Sequence, residues 1–289
     1  MTGALRIAAI QSSPQLGDVD ANLAAIEAWS RQAADRGARL VLLPECALQG
    51  IVFHSAEDAL AVAVPRTDPV FERLGSLTEE LGLGLVFGFL ERLEAGYSNT
   101  AAILLPGDSP RFYRKTHLTE LGADRWAEPG DSLCEVMEYE GLRFGVLVCY
   151  DVRFPEASRV LALAGADALL LATNSPAGYE GTYDHAARTR AWENRVWFVV
   201  ANRVGIEDDA AFIGRSLAVD PFGGVVGQLD GYREGMLIVD IELEAARSKL
   251  LPGHEGAGYS FLAARRPELY GALGDPERGP SSAPRELSV

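Results

Sequence analysis

Cysteine, histidine and basic charge are all scarce in this chain, and each shortage removes a class of function. Three cysteines stand far apart in 289 residues, a spacing that supports neither a disulfide framework nor a zinc knuckle. Four histidines, none at metal-ligand spacing, argue against a metallohydrolase. Lysine and arginine total 26 against 41 aspartates and glutamates, giving a formal net charge of −15 at pH 7. That sign repels nucleic acid phosphates and anionic membranes, and no basic stripe reverses it locally. Neither nucleic acid nor membrane is therefore an expected partner, and the acidic excess reads as a solubility feature. No apolar run approaches the roughly 20 residues that span a bilayer. The opening MTGALRIAAIQSS enters a strand directly, without the basic and apolar regions of a signal peptide, so a cytoplasmic location is expected.

What remains is an ordinary globular composition, with 48% hydrophobic and 23% charged residues. A chain of this length buries a large core without disulfides or a structural metal. Leu5 to Gln11 and Leu40 to Leu43 are continuous apolar runs, as strands buried on both faces require. Between them Asp20 can cap a helix carrying Leu23, Ile26 and Ala33 on one face and closed by Gly37. Asp68-Pro69 opens a second helix with Val70, Leu74, Leu77 and Leu81 on one face. LGLVFGFL, NTAAILL and RFYRKTHL follow as strands, the last after the turn PGDSP. The order then repeats. RFGVLVCY is a strand, PEASRVLALAGA a helix, DALLLAT a strand and TYDHAARTRAWENR a helix. VWFVVANRV, GRSLAVD, GVVGQL and GMLIVDI are further strands, with PFGG a hairpin signal. Two halves of like topology predict an α/β fold: a four-layer α-β-β-α sandwich of two mixed sheets with internal pseudo-twofold symmetry. A single domain is expected over 1–273, with a Pro/Ser/Gly-rich tail over 274–289 that is mobile or docks on a partner subunit.

Three residues at strand ends carry candidate chemistry. Cys149 ends the strand GVLVC shortly before the helix at Pro155, where the helix N-terminus favours a thiolate; the competing reading is an inert buried thiol. Cys46 and Cys134 precede no helix and read as structural. Glu45 follows four apolar residues and a proline, so it either turns out into a loop or faces inward with a raised pKa suited to a general base. Lys115 ends RFYR and is either a surface lysine or a third member of the site. Strand ends of α/β sheets are where such sites collect.

The segments LLPECAL, YRKTHL and GVLVCYDVRFPE, in that order, resemble the three signature motifs of the nitrilase-like carbon–nitrogen hydrolase superfamily. YSNTAAIL, EPGD, RTRAWENRVWFVVANRVG and GRSLAVDPFG extend the likeness from about Arg6 to Tyr270. The resemblance implies the same four-layer fold and a Glu45–Lys115–Cys149 triad that uses no metal or cofactor. It implies that Glu45 is the general base, that Cys149 attacks the amide carbon to form a thioester, and that Lys115 with the backbone N–H of Tyr150 stabilises the oxyanion. Many members carry a second glutamate after the lysine; Glu120 is its expected counterpart and Asp124 the alternative. CYDVRFPE looks most like the amidase-type members, so a small linear amide is the expected substrate, with a nitrile or an N-carbamoyl compound as alternatives. A non-catalytic regulatory member and a redox-sensing thiol protein are the readings from other classes. Asn174 and Ser175 are expected to line the pocket, and Phe53 and His54 its rim. Arg153 either binds a substrate carboxylate or pairs with Glu156. A homodimer or larger homo-oligomer is implied, with the helices after Cys149 and around Trp192 as contact surfaces.

Overall fold

In the computed structural model, the structure describes residues 4–252 and 258–275. Contacts divide the chain into two units, 1–248 and 249–289. Among the described residues, all but two of the strands belong to the first. They are β1 (Ala4–Gln11), β2 (Leu40–Leu42), β3 (Gly84–Arg92), β4 (Tyr97–Leu104), β5 (Arg111–Arg114), β6 (Met137–Tyr139), β7 (Leu142–Val148) and β8 (Ala168–Thr173). β9 (Trp197–Asn202), β10 (Val204–Glu207), β11 (Ala210–Ile213), β12 (Leu217–Val219), β13 (Val225–Gln228) and β14 (Gly235–Glu242) follow. The helices are α1 (Val19–Asp35), α2 (Ala56–Val62), α3 (Pro69–Leu81), α4 (Pro155–Leu163), α5 (Arg188–Asn194) and α6 (Leu243–Arg247). The second unit contains the two-residue pair β15 (Leu251–Pro252) and β16 (Gly258–Tyr259). Of the expected tail, residues from 276 onward lie outside the described residues. Among the described residues no helix is long and apolar enough to cross a membrane.

The two six-stranded sheets run β14-β1-β2-β3-β4-β5 and β6-β7-β8-β9-β12-β13. Read in that direction, both show the same sequence of pairings: antiparallel, parallel, parallel, antiparallel, antiparallel. The expected internal symmetry is therefore present strand for strand. β14 returns from late in the first unit to flank β1, as β6 flanks β7. Because side chains alternate across a strand, each central strand feeds two cores. Ile7, Leu42, Val86, Val146, Leu170 and Val199 share one apolar cluster between the sheets. Ile10, Val41 and Phe87 pack with Leu23 and Ile26 of α1 and Leu74 of α3, while Leu147, Leu169 and Phe198 pack with Leu161 of α4 and Ala191 of α5. Each sheet thus turns one face to the cluster it shares with the other sheet and one face to helices.

Local signals explain most boundaries. α3 starts where Asp68 accepts the Val70 N–H at 3.0 Å with Pro69 at its first position, and ends at Gly82 in the left-handed region. α1 is capped by Asp18 rather than by Asp20: Asp18 Oδ1 accepts the Ala21 N–H at 3.0 Å, and Asp20 falls in the first turn. Gly17, at φ +73°, turns the chain early enough for the helix to start there. The stretch 182–195 is not one regular helix but a wide π-turn over Thr182–Ala187 followed by α5. VWFVVANRV also splits. Asn202 Oδ1 takes the N–H groups of Ser175 and Arg203 at 3.0 and 2.9 Å, which ends β9 and sends the chain into the hairpin β10–β11.

Candidate active site

Glu45, Lys115 and Cys149 all sit just beyond strand ends: after β2, after β5 and after β7. The cysteine is reached through a sharp elbow. Its φ is +44°, a conformation unfavourable for any residue with a Cβ, at the start of a single 3-10 turn, Cys149–Arg153. Asp151 holds that turn. Its buried carboxylate accepts the Val148 N–H at 3.0 Å, the Tyr113 hydroxyl at 2.8 Å and the His117 N–H at 3.2 Å, with His117 Nδ1 at 2.7 Å. One carboxylate thus ties the cysteine elbow to both sides of the segment that carries Lys115. On the opposite side, β3 passes so close to Glu45 that only glycine fits at position 88. A Cβ there would lie 2.3 Å from the Cys46 nitrogen and 2.5 Å from the Glu45 Cα.

The charged groups themselves are almost wholly removed from water: side-chain exposure is 1% for Lys115, 0% for Glu45 and 1% for Asp124. Such burial is tolerable only with complete pairing. Lys115 Nζ donates to Glu45 Oε1 at 2.8 Å and to Asp124 Oδ2 at 2.5 Å. Asn99 Nδ2 bridges the same two carboxylates at 2.7 Å each. Glu45 Oε2 accepts the Asn174 N–H at 2.9 Å. Asp124 also faces the backbone N–H and the hydroxyl of Thr119, both at 3.2 Å. The acidic partner of the lysine is therefore Asp124. Glu120, the expected counterpart, lies in the cavity wall instead, because Gly122–Trp126 forms a 3-10 turn that carries Asp124 inward.

The protonation equilibria of this cluster are set first by burial and then by the charges it brings together. Burial pushes the Glu45 carboxyl up; Lys115 pulls it back and Asp124 raises it again, with a net upward shift. Burial alone would lower Lys115, but Asp124 and Glu45 overcome it and hold the ammonium well above its usual range. The Cys149 thiol is pushed up to about 12, by burial first and then by Glu45, against the opposing pull of Lys115 and the Thr173 hydroxyl. Burial and the neighbouring carboxylate thus work against the expected helix-stabilised thiolate. Only one 3-10 turn starts at the cysteine, and α4 begins six residues later at Pro155, beyond the first turn over which a helix dipole acts. A protonated thiol beside a carboxylate of raised proton affinity calls for a general base, not for a preformed nucleophile.

These groups open into a cavity of about 660 Å³. Tyr150, Phe53, Arg153, Asn174, Ser175 and Glu120 all belong to its wall. His54 does too, and its Nε2 lies 3.5 Å from Asp208 at the tip of the β10–β11 hairpin. Arg153 does not pair with Glu156. Its guanidinium lies over the rings of Tyr150 and Tyr179, 5.5 and 5.0 Å from their centroids, and 3.4 Å from Thr182 Oγ1. The hairpin, which the sequence pattern did not reveal, contributes Phe212 to the wall. Glu207 fastens it down by accepting the Ile51 and Val52 N–H groups at 2.9 and 2.6 Å, while pairing with buried Arg203 at 2.5 Å. Asn99 and Asp151 were also missed. Both are polar residues beside apolar strand runs, which was the signal available for them.

A family model described as carbon-nitrogen hydrolase matches residues 6–249. An (R)-stereoselective amidase from a Pseudomonas species is 31% identical over 92% of this chain and 93% of its own length. An N-carbamoylputrescine amidase from Arabidopsis thaliana is 30% identical over 89% of this chain and 91% of its own. Among solved structures, a cysteine-to-alanine mutant of the amidase from Nesterenkonia sp. AN1, in complex with butyramide, superposes with a TM-score of 0.77 at 27% identity, covering 93% of this chain and 97% of that one. Another mutant of the same amidase shows covalent addition of the acetamide moiety of fluoroacetamide at the active site cysteine, again with a TM-score of 0.77 and 27% identity over 93% and 97% of the two chains. The chain belongs to the carbon-nitrogen hydrolase family, in the nitrilase superfamily. Its relatives and structural neighbours make it an amidohydrolase of the amidase type.

Proposed function

We propose that the protein hydrolyses a linear carboxamide to acid and ammonia through a thioester on Cys149. The observation that carries this reading is the buried Lys115–Glu45 contact of 2.8 Å in the cavity wall that also holds Cys149. Glu45 takes the thiol proton as sulfur attacks the amide carbon, and the carbonyl oxygen becomes an oxyanion. Lys115, kept cationic by its two carboxylates, and the Tyr150 N–H stabilise that charge. Glu45 then returns the proton to nitrogen, the C–N bond breaks, and ammonia leaves a thioester. A water deprotonated by Glu45 attacks the thioester, and Cys149 recovers its proton. Asp124 fixes the position and charge of Lys115 without entering the proton transfers. Arg153, Phe53 and Ser175 contact the acyl part of the substrate, Arg153 through a carboxylate where one is present.

The test is ammonia release from a panel of aliphatic amides, ω-amides, N-carbamoyl compounds and nitriles, with mass spectrometry of the Cys149 peptide. Expected are turnover of at least one amide and an acyl adduct on Cys149. Cys149→Ala should abolish turnover, and Lys115→Ala should lower it by about 10²–10³-fold, the usual cost of an oxyanion donor. Unchanged hydrolysis in Cys149→Ala refutes the mechanism. An N-carbamoyl substrate would use the same atoms, and the likeness to an N-carbamoylputrescine amidase supports its place in the panel.

A further inference from the structure

Beside Cys149 lies a cluster of three buried hydroxyls, those of Thr173, Ser175 and Tyr183. Thr173 ends β8, and β7 runs parallel to it with Val148 opposite Ala172, so Cys149 and Thr173 leave the sheet side by side. Thr173 Oγ1 lies 3.1 Å from Ser175 Oγ and 3.3 Å from the Tyr183 hydroxyl oxygen. Tyr183 closes the triangle with a short bond in which its hydroxyl donates to Ser175 Oγ. The Thr173 hydroxyl is also hydrogen-bonded to the Cys149 side chain, where it favours the thiolate. Of the ionisable groups around the sulfur, Glu45 and Asp124 oppose a thiolate and Lys115 favours it. Burial, followed by the charge of Cys149, pushes the Tyr183 phenol up, so Tyr183 keeps its proton and remains a donor.

Proton counting gives this triangle a direction. A hydroxyl has one O–H to donate and two lone pairs with which to accept. The Tyr183 proton is committed to Ser175, so Ser175 can pass its own to Thr173 Oγ1. The Thr173 proton then has two acceptors within reach, the Tyr183 oxygen and the Cys149 sulfur. We propose that Thr173 is a catalytic residue whose hydroxyl turns onto the Cys149 sulfur as Glu45 removes the thiol proton. The inference deepens the hydrolytic reading and rests on its assignment of Cys149 as the nucleophile. In that step the S–H bond breaks, the proton goes to a Glu45 oxygen and the electron pair stays on sulfur. Thr173 keeps its own O–H bond throughout. A donor facing an anionic sulfur is stronger than one facing a thiol, so the bond strengthens as charge develops and relaxes once the sulfur–carbon bond has formed. It returns when water attacks the thioester and the thiolate departs. The Tyr183 and Ser175 hydroxyls polarise Thr173 in the same sense, since successive donors in a chain reinforce one another.

Iodoacetamide labelling of Cys149 across pH, read on its peptide by mass spectrometry, tests this without requiring turnover. Thr173→Ala and Thr173→Ser differ in the hydroxyl alone. Loss of a hydrogen bond to a charged group should cost the alanine variant about tenfold in thiolate, moving the onset of labelling up by about one pH unit. Below that onset its labelling rate should fall only about threefold, because a thiolate of higher pKa is the better nucleophile. Thr173→Ser should label as the wild type does. Tyr183→Phe should shift the onset in the same direction but by less, since the phenol acts through Ser175 and Thr173. With an amide that the wild type hydrolyses, Thr173→Ala should lower kcat and leave KM nearly unchanged, because the hydroxyl meets sulfur rather than the acyl group. Thr173→Val replaces the alanine variant if that one does not fold. An onset equal in the variants with and without the hydroxyl overturns the proposal, and so does a larger shift in Tyr183→Phe than in Thr173→Ala. Failure of every amide to release ammonia would instead overturn the hydrolytic reading and leave the labelling comparison standing, so the two failures are distinguishable.

Discussion

Replacing Asp124 by asparagine keeps the outline of the side chain and removes its charge. Asp124 receives Lys115 Nζ on Oδ2 at 2.5 Å, the Thr119 N–H and hydroxyl on the same oxygen at 3.2 Å, and Asn99 Nδ2 on Oδ1 at 2.7 Å. Asparagine has one oxygen, so in either orientation its –NH2 faces one of these donors and a buried group loses its partner. An unsatisfied buried donor costs about 1–3 kcal/mol. The 3–5 kcal/mol typical of a broken buried ion pair is an upper bound of about that size, since Lys115 keeps Glu45. In a unit of this size, 1–3 kcal/mol corresponds to a fall in Tm of roughly 2–12 °C. Turnover should suffer more. A lysine held by Glu45 alone no longer has a fixed place for the oxyanion, and a loss of kcat approaching about 10²-fold is expected. The pH profile should move as well. In the proposed mechanism Glu45 works as a base only above its raised pKa, so the acidic limb of kcat/KM should lie above the ordinary carboxylate range. Asp124 is one of the charges that raises it, so Asp124→Asn should shift that limb to lower pH. Ammonia release across pH and thermal unfolding measure all three effects, with Glu120→Gln as the control. If Asp124→Asn turns over within about threefold of wild type, or Glu120→Gln loses more, the charge network has been misread, since an oxyanion donor is worth far more than that.

Gly88→Ala should destabilise the protein by about 1–3 kcal/mol and lower kcat, because its Cβ would overlap the Glu45–Cys46 backbone; an unchanged Tm would contradict the close approach. Glu45→Gln should abolish turnover yet move the onset of Cys149 alkylation to lower pH, since Glu45 is among the groups that raise the thiol. Alkylation followed against pH checks this, and an onset shifted upward would reverse the assigned sign. Glu207→Gln weakens the hold of the β10–β11 hairpin on Ile51 and Val52. Steady-state kinetics should then show KM rising more than kcat falls, with kcat bearing the loss if the hairpin has no part in the pocket.

Much of this protein was legible along the chain because its signals are local or periodic. Buried parallel strands declare themselves as apolar runs, and β1, β2, β7 and β8 follow those runs closely. Ordered motifs brought Glu45, Lys115 and Cys149 together before any coordinates did. The errors were of another kind. Asp18 and Asp20 have equal capping chemistry, and the φ of Gly17 decided between them. VWFVVANRV has the composition of one strand, and side-chain bonds from Asn202 to distant residues cut it in two.

The amino-acid sequence by itself determined the class of fold, the doubled topology and the three residues around which the site is built. Hydrophobic periodicity and motif order are properties of neighbours in the chain, and they survive without coordinates. Only the tertiary structure decided which carboxylate holds the lysine, that burial and Glu45 raise the cysteine thiol, and that Asn174 is bound to Glu45 through both its backbone and its side chain. Those outcomes depend on burial and on distances of 2.5–2.9 Å between residues 9 to 129 positions apart. Electrostatic energies vary steeply over such distances in a low-dielectric interior.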